Sequence, residues 1–397
     1  MAEDDGPSPE SASPEDGGLT RRGFLRLCLG AAVCAGAMAA GARVASSSLL
    51  GGSDSPRKES DWARRARYYR KLEGRAVQCL LCPRQCTATP GRRGHCEVRE
   101  NRDGEYYTLV YGRAASVNID PIEKKPFFHV LPGRLVFSFA TAGCNLDCNN
   151  CQNWQLSQST PEDLPATDLP PSALVAAARR EKVPLIAGTY NEPTVFTEYL
   201  LDVAREGKKQ GVRTVTVTNG FIGRQPMLDL CRELAAVKVD LKSMRESFYR
   251  SNCNGELRPV LDTIQLVKKQ GVWLEIVYLV VPTLNDTEAE IKDLAKWVRG
   301  NLGADTPLHF SRFYPQYRLK NLPPTPYETL DRCYQIARGE GLHYVYVGNV
   351  PAHKAESTYC PKCGKAVLSR EGFRVTANNL QRGECKFCHQ AIPGIWV

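Results

Sequence analysis

Three cysteines lie close together directly after a predicted buried strand. They are Cys144, Cys148 and Cys151, in the spacing C-x3-C-x2-C. Three thiolates on one short loop can bind three irons of a [4Fe–4S] cluster and leave the fourth iron without a protein ligand. That iron is open to an external chelate, and the amino and carboxylate groups of S-adenosylmethionine (SAM) fit this role. The alternative is a zinc site that borrows a distant fourth ligand.

Two further groups of four cysteines have spacings typical of metal sites. The first group contains two C-x2-C pairs separated by 21 residues and consists of Cys360, Cys363, Cys385 and Cys388. This pattern predicts a zinc ribbon, with disulfides or an auxiliary cluster as alternatives. The second group has the spacing C-x2-C-x3-C-x9-C and consists of Cys79, Cys82, Cys86 and Cys96. It differs from the bacterial ferredoxin pattern and predicts either zinc or an auxiliary iron–sulfur cluster.

The elements that must position these cysteines alternate between strands and helices. Apolar runs predict strands at 135–140, 184–188, 213–218, 237–241, 272–281, 308–313 and 343–347. Helical patterns cover 171–181, 194–210, 225–235, 258–270, 286–301 and 326–339. This α/β alternation predicts a parallel sheet with right-handed crossovers, folded as a partial (βα)6 TIM-like barrel. Active residues of such barrels lie at the carboxyl ends of the strands.

Further segments along the chain combine with the cysteine pattern. They are Cys79–Pro83, Asp120–Pro126, Gly143–Trp154, Thr189–Pro193, Thr218–Gly220, Val239–Lys242, His309–Phe313 and Gly348–Val350. With these segments, residues from about 75 to 397 resemble a radical SAM enzyme of the pyruvate formate-lyase activating-enzyme type. The closer resemblance is to the radical SAM enzyme of the AmmeMemoRadiSam system.

The resemblance implies reductive cleavage of SAM at the cluster to a 5′-deoxyadenosyl radical, which abstracts hydrogen from a substrate. It implies an electron donor such as flavodoxin or ferredoxin, and a substrate that is either a protein glycine or a small molecule. A different radical reaction, methyl or sulfur transfer with an auxiliary cluster, is an alternative. A non-catalytic zinc-binding interaction protein is another.

One SAM contact is expected after the second predicted strand. Glu192 lies where such enzymes place a Gly-Gly-Glu-Pro-like segment against the SAM amino group, and an ammonium group needs an acidic or carbonyl acceptor. Tyr190-Asn191 replaces Gly-Gly here, so the approach of the backbone differs. The resemblance therefore predicts Asn191 and Glu192 as cofactor-binding residues. A glutamate that only begins a helix before Pro193 is the alternative for Glu192.

Further SAM contacts are expected after the next two strands. Asn219 is predicted to hydrogen-bond the ribose or the carboxylate, with a plain turn as the alternative. Asp240 and Lys242 share one face of their strand by alternation. The lysine is predicted to pair with the SAM carboxylate, and the aspartate with the ribose or the lysine; a surface ion pair is the alternative. We expect His309, on the sixth strand, to be a structural histidine.

The composition excludes several classes of protein. The chain has 397 residues, of which 42% are hydrophobic and 24% are charged. A chain of this length can form a buried core. Its composition excludes disorder, collagen and coiled coil over most of the chain. The net charge of +9 is modest and spread out, so we expect no nucleic-acid partner.

The N-terminus resembles a twin-arginine export signal. Thr20–Arg26 reads T-R-R-G-F-L-R and precedes 16 uncharged residues, which end in small side chains. We expect export through that pathway or a membrane tether, with a cytoplasmic protein as the alternative. The predicted domains are a signal with a disordered acidic start (1–42), a linker (43–73), a cysteine-rich extension (74–130), the barrel (131–350) and the zinc ribbon (351–397).

Overall fold

The computed structural model describes residues 62–350 and 353–397. Within these residues, seven short strands come before the first strand of the central sheet. They are β1 (Arg64–Arg65), β2 (Tyr69–Lys71), β3 (Val77–Cys79), β4 (Thr87–Ala88), β5 (Arg99–Arg102), β6 (Glu105–Thr108) and β7 (Arg113–Ala114). Strands β1, β6 and β5 form one small sheet, and β2, β3 and β4 form another. The predicted signal of residues 1–42, and the export inferred from it, lie outside the described residues.

The prediction of a linker over 43–73 is wrong for residues 62–73. Tyr69 on β2 pairs with Cys79 on β3, and Arg65 on β1 pairs with Tyr107 on β6. Ala66 is buried in an apolar cluster with Val77, Cys79, Leu81, Ala88 and Tyr106. The few apolar side chains in this basic stretch therefore complete the core of the cysteine-rich extension, although basic residues dominate its composition.

The central sheet has eight strands in the order β16-β15-β14-β13-β12-β11-β9-β8. The remaining strands up to β16 are β8 (Ser116–Pro121), β9 (Leu135–Ala140), β10 (Thr167–Asp168, paired with β7), β11 (Leu185–Gly188), β12 (Arg213–Thr218), β13 (Ala236–Asp240), β14 (Trp273–Val280), β15 (Leu308–Arg312) and β16 (Val345–Gly348). All neighbours from β9 to β16 are parallel. Strand β8, from the predicted extension, adds an antiparallel edge to β9. The seven predicted strands and the α/β class are confirmed.

Helices connect the parallel strands. They are α1 (Trp154–Ser157), α2 (Pro171–Arg180), α3 (Thr197–Lys209), α4 (Arg224–Cys231), α5 (Glu246–Phe248), α6 (Leu257–Lys269), α7 (Glu288–Leu302) and α8 (Tyr327–Gly339). Helix α3 begins later than predicted because Pro193–Phe196 forms a 3-10 turn. Helix α4 ends earlier than predicted, and Ala235 already donates its N–H to the Thr214 carbonyl of β12. The six predicted helices are present.

The amino end of the barrel is filled by side chains. Val136, Leu185, Val215 and Ala236, in the first halves of four neighbouring strands, pack with Phe127 in one buried apolar cluster. Next to this cluster, the buried Glu275 carboxylate accepts hydrogen bonds from several donors. They are the backbone N–H groups of Phe128 and His129, the Trp273 indole and the His309 ring, the last at 2.7 Å. His309 therefore has the structural role expected of it.

The C-terminal segment packs against this same end. It contains β17 (Thr358–Tyr359), β18 (Ala366–Glu371), β19 (Arg374–Asn378), β20 (Leu380–Gln381) and β21 (Glu384–Cys385). The buried guanidinium of Arg370 donates to the Phe128 carbonyl at 2.7 Å and lies 3.6 Å from the Glu123 carboxylate. The filled amino end and this cover leave the carboxyl ends of the strands for chemistry. None of the helices among residues 62–350 and 353–397 has the length and apolar character needed to span a membrane.

Candidate active site and metal centres

The three cysteines of the C-x3-C-x2-C motif lie on the loop that follows β9, at the carboxyl end of the sheet. Cys148 is 8% exposed, and Cys144 and Cys151 are partly buried. Burial raises the pKa of the Cys144 thiol, and the nearby Glu192 carboxylate and Cys148 thiol add to this effect. The predicted cluster ligands therefore share one enclosed region, where a neutral thiol is favoured unless a cation is bound.

This loop has no regular secondary structure, and other segments hold its backbone. Gly143 has φ +87°, and a Cβ atom there would lie 2.6 Å from the Cys96 carbonyl, so only glycine fits. The Asn191 amide nitrogen donates to the Gly143 carbonyl at 2.9 Å and to the Ala142 carbonyl at 3.2 Å. Asn191 thus supports the cluster loop, and its predicted contact with SAM stays a prediction.

Glu192 joins the ends of two neighbouring strands. Its Oε1 accepts hydrogen bonds from the Thr194 N–H, the Thr194 hydroxyl and the Thr218 hydroxyl at 2.6–2.8 Å. Its Oε2 accepts the Asn219 N–H at 2.7 Å. The carboxylate is buried, which raises its pKa against the opposing effect of these donors. Glu192 caps the 3-10 turn that begins at Pro193, which agrees with the alternative of a glutamate that begins a helix. Its Oε2 atom still has one lone pair that can accept a further hydrogen bond.

Tyr190 occupies the first position of the replaced Gly-Gly pair in a left-handed conformation. Its φ is +69°, a region that costs a residue with a Cβ roughly 1–2 kcal/mol and costs glycine little. The Tyr190 hydroxyl hydrogen-bonds to the Asp120 carboxylate, and the Lys125 ammonium lies 4.1 Å from the centre of the tyrosine ring. Lys125 also donates to Asp120 at 2.6 Å. These contacts of the side chain hold Tyr190 in a backbone conformation that glycine adopts more readily.

The remaining predicted SAM contacts lie at the ends of β12 and β13. The side-chain amide of Asn219 donates to the side-chain oxygen of Asn145 at 2.9 Å. The same Asn219 nitrogen lies 3.9 Å from the Cys144 sulfur. The Lys242 ammonium interacts electrostatically with Cys148 and Asp240. Burial raises the pKa of Asp240, and Lys242 opposes this effect. Asn219, Asp240 and Lys242 therefore border the cluster loop, and their contacts with SAM stay predictions.

The C-terminal cysteines form a compact group. The Cys360 and Cys388 sulfurs are 3.5 Å apart, and the Cys363 and Cys385 sulfurs are 3.7 Å apart. We searched the described residues for groups of three or more cysteine, histidine or carboxylate side chains whose ligand atoms all lie within 4.8 Å of one another. These four cysteines form such a group. All 14 described cysteines are free thiols, which argues against the disulfide alternative. Four sulfurs at these distances fit a single tetrahedral metal ion.

The part of the chain that contains the cluster loop is similar to a known protein family. A family model described as the radical SAM superfamily matches residues 139–298. Uncharacterized protein MJ0808 of Methanocaldococcus jannaschii is 43% identical over 331 residues, which cover 83% of this chain and 98% of that protein. The chain belongs to the radical SAM superfamily.

Two further proteins are similar to smaller parts of the chain. Pyruvate formate-lyase 1-activating enzyme of Escherichia coli is 25% identical over 168 residues, which cover 39% of this chain and 68% of that enzyme. A solved radical SAM methyltransferase from Sphaerobacter thermophilus is 19% identical, with a TM-score of 0.45, over 59% of this chain and 71% of that chain.

Membership of the radical SAM superfamily implies a [4Fe–4S] cluster and SAM as cofactors, and the residues present fit them. The cluster supplies an electron to the sulfonium of SAM when both are bound. Cys144, Cys148 and Cys151 are soft ligands suited to iron–sulfur clusters. They need not converge as the C-terminal group does, because each thiolate binds a different iron. The Lys242 ammonium offsets part of the negative charge beside Cys148.

A fourth thiol beside this loop was missed by sequence reasoning. This thiol, Cys253, is fully buried at the end of a π-helix, Tyr249–Cys253. Its thiol lies close enough to that of Cys148 to raise the pKa of Cys148, while its own pKa is lowered. The Cys253 carbonyl accepts the Asp147 N–H at 3.0 Å. Cys253 lies 102 residues beyond Cys151, outside any spacing motif, so only the tertiary structure reveals this contact.

We predict that Glu192→Gln destabilises the fold. The new amide nitrogen must face one of the donors that the carboxylate now satisfies, and an unmatched buried polar group costs about 1–3 kcal/mol. We expect a lower Tm in thermal unfolding of the apoprotein. The control is Glu206→Gln, on the partly exposed side of α3, which should leave the Tm unchanged. Equal Tm values for the two variants would contradict this assignment.

Proposed function

We propose that this protein reductively cleaves SAM at a [4Fe–4S] cluster held by Cys144, Cys148 and Cys151. When bound there, the cluster would supply the one electron needed to cleave the bond between sulfur and C5′ of SAM, with methionine and a 5′-deoxyadenosyl radical as products, and the radical would take a hydrogen atom from the substrate. The observation that carries this proposal is the contact of the three-thiol loop with polar residues from the ends of β11 and β12. The Asn219 amide nitrogen lies 3.9 Å from the Cys144 sulfur, and the Asn219 N–H donates to Glu192 at 2.7 Å.

The chain's own residues prepare this site in separate ways. Asn191 and Gly143 hold the start of the cluster loop. Lys242 supplies a cation for the SAM carboxylate, and the remaining lone pair of Glu192 accepts from the SAM amino group. Asn219 and Asp240 are the hydrogen-bonding partners that we propose for the ribose or the carboxylate. The closed amino end of the barrel restricts the substrate to the carboxyl end.

A protein glycine is the substrate class that we propose. The support is the similarity to pyruvate formate-lyase 1-activating enzyme, which covers 39% of this chain. Within radical SAM enzymes, the segments Asp120–Pro126 and Thr189–Pro193 support membership of the AmmeMemoRadiSam type. A small-molecule substrate is the alternative. Flavodoxin or ferredoxin is the proposed electron donor.

SAM cleavage is tested by anaerobic reconstitution with iron and sulfide, followed by dithionite and SAM. We expect 5′-deoxyadenosine from the wild type, and a loss of at least about 100-fold in Cys148→Ser, because the cluster loses one of three ligands. Cys333→Ser, at a buried thiol of α8, is the matched control and should keep the wild-type rate. If Cys148→Ser and Cys333→Ser form the product equally, the proposal is wrong.

We propose that the C-terminal group binds zinc. Thiolates bind zinc at about 2.3 Å in closed tetrahedral sites, and the short sulfur distances of this group match one ion. We expect Cys385→Ser to lose one zinc ion per chain and to unfold at a lower temperature, because metal binding contributes folding free energy. Elemental analysis of the full chain checks this. Unchanged zinc content in Cys385→Ser would refute it.

We propose that residues 1–42 direct export through the twin-arginine pathway. The motif Thr20–Arg26 and the uncharged run behind it support this proposal, and that pathway carries folded proteins with their cofactors loaded. A fusion of residues 1–50 to a reporter should be exported, and the variant in which Arg21 and Arg22 are both replaced by Lys should be retained. Retention of the unmodified fusion would remove this proposal.

A further inference from the structure

Two aromatic side chains form a stack beside the cluster loop. Trp154 begins α1, three residues after Cys151, and its side chain is 38% exposed. Its ring stacks on the Tyr317 ring, with the centroids 5.4 Å apart and the planes inclined by 15°. Tyr317 belongs to residues 313–326, which connect β15 to α8 at the carboxyl end of the sheet. Tryptophan, tyrosine and arginine are enriched at protein–protein interfaces, so this stack is a candidate contact surface.

The second ring of the stack belongs to a turn that is fixed to the cluster loop. Gln316 and Leu319 pair through two backbone hydrogen bonds of 3.2 and 3.0 Å, and the two residues between them form the tip of the turn. The Arg318 N–H donates to the Asn149 carbonyl at 3.0 Å. The Gln316 side-chain amide donates to the Gln152 carbonyl at 3.3 Å. The last cysteine of the cluster motif lies between these two carbonyls in sequence, so the turn contacts the backbone on both sides of that ligand.

The charged side chains of these two segments are all basic. Residues 149–160 carry no charge, and residues 312–327 carry three basic side chains and no acidic one. Two of the three, Arg318 and Lys320, are exposed, and neither forms an ion pair with a described residue. Exposed cations of this kind attract an acidic surface from solution.

Two acidic residues near the cluster loop already have partners. Glu246 pairs with Arg250 at 3.1 Å. The Asp147 carboxylate lies 3.1 Å from the His95 ring and accepts the Asn254 side-chain amide at 2.6 Å. Neither carboxylate pairs with the two exposed cations of the turn, so those cations keep their charge for a partner.

The position of this surface favours an electron carrier over the substrate as its partner. Glu192 and Asn219, which we propose as SAM contacts, are 2% and 6% exposed, and a radical formed from SAM needs its substrate on that enclosed side. The aromatic stack and the two cations are instead at the surface, where a second protein can reach them. Complexes that transfer electrons have small interfaces, and a surface of this size suits such a complex.

We propose that Trp154, Tyr317, Arg318 and Lys320 form a docking surface for a protein electron carrier that is acidic around its redox group. One electron passes from the reduced carrier to the oxidised cluster, and no covalent bond forms or breaks. The inference rests on the proposed function, since SAM cleavage is what requires the electron. It deepens that function by assigning the residues that bind the carrier and the charge that the carrier presents.

The binding of a flavodoxin of net negative charge tests the docking surface without turnover. Calorimetry with the oxidised flavodoxin and the reconstituted protein measures the Kd, which should rise with ionic strength in the wild type. We expect a Kd at least about 10-fold higher in Arg318→Glu/Lys320→Glu, because two attractive charges become repulsive.

The matched control makes the same change of net charge on the outer helices. Lys269→Glu/Lys296→Glu alters exposed positions on α6 and α7 and should keep the Kd within about twofold of the wild-type value, because local charge at the interface determines the affinity. Equal Kd values for the two double variants would overturn the proposal.

A second test compares two reductants in the formation of 5′-deoxyadenosine without added substrate. Dithionite is a small ion that needs no docking surface, so Arg318→Glu/Lys320→Glu should keep the wild-type rate with dithionite. With reduced flavodoxin, kcat/KM should fall at least about 10-fold. An equal loss with both reductants, or no loss with either, would overturn the proposal. Absence of product from the wild type with dithionite would instead contradict the proposed function.

The aromatic stack has its own variant. Trp154→Ala should raise the Kd for flavodoxin at least about 10-fold, because tryptophan side chains supply much of the binding energy of interfaces, and should keep the rate with dithionite. Sedimentation of the wild type alone tests whether a second copy of the chain occupies the same surface. Self-association of the wild type that is lost in Trp154→Ala would assign the surface to that second copy and overturn the proposal.

Discussion

The site depends on a loop that must hold three thiols apart and still leave one side open. Residues 143–151 form no helix or strand, so hydrogen bonds from other segments determine the shape of the loop. Asn191 holds its start, and the Arg84 guanidinium holds the Asn145 carbonyl. The Asn252 and Cys253 carbonyls accept the N–H groups of Asn149 and Asp147. Each of these three supports comes from a different part of the chain, which explains why the loop needs both the barrel and the extension.

Much of this architecture is predictable from the sequence, because buried parallel strands are short apolar runs. The run Leu135–Ala140 was predicted to the residue, since its apolar side chains are followed by glycine and polar residues. The antiparallel edge strand Ser116–Pro121 was not predicted, because it alternates few apolar residues and ends in proline. Its pairing with β9 is a tertiary contact, which local pattern does not encode.

The roles of single side chains at the site were harder to predict. The residue types at Asn191 and Glu192 are suited both to binding a ligand and to bonding the backbone, and spacing does not distinguish these uses. In the structure, both side chains form hydrogen bonds to the backbone. Tyr190 departs from a Gly-Gly pattern, but its left-handed backbone keeps the conformation that glycine favours. Cys253 approaches Cys148 through a π-helix, a local geometry that has no reliable sequence signal.

The account depends on an iron that no protein side chain ligates. Cys253 lies beside Cys148 and is a fourth thiol near the cluster loop, so this claim needs a direct test. The most direct measurement is electron–nuclear double resonance of the reduced cluster, with SAM labelled by 15N in the amino group and 17O in the carboxylate. The account predicts hyperfine couplings from both labels, which place the amino nitrogen and a carboxylate oxygen on one iron. A cluster signal without these couplings, in protein that contains four irons per chain, would contradict it.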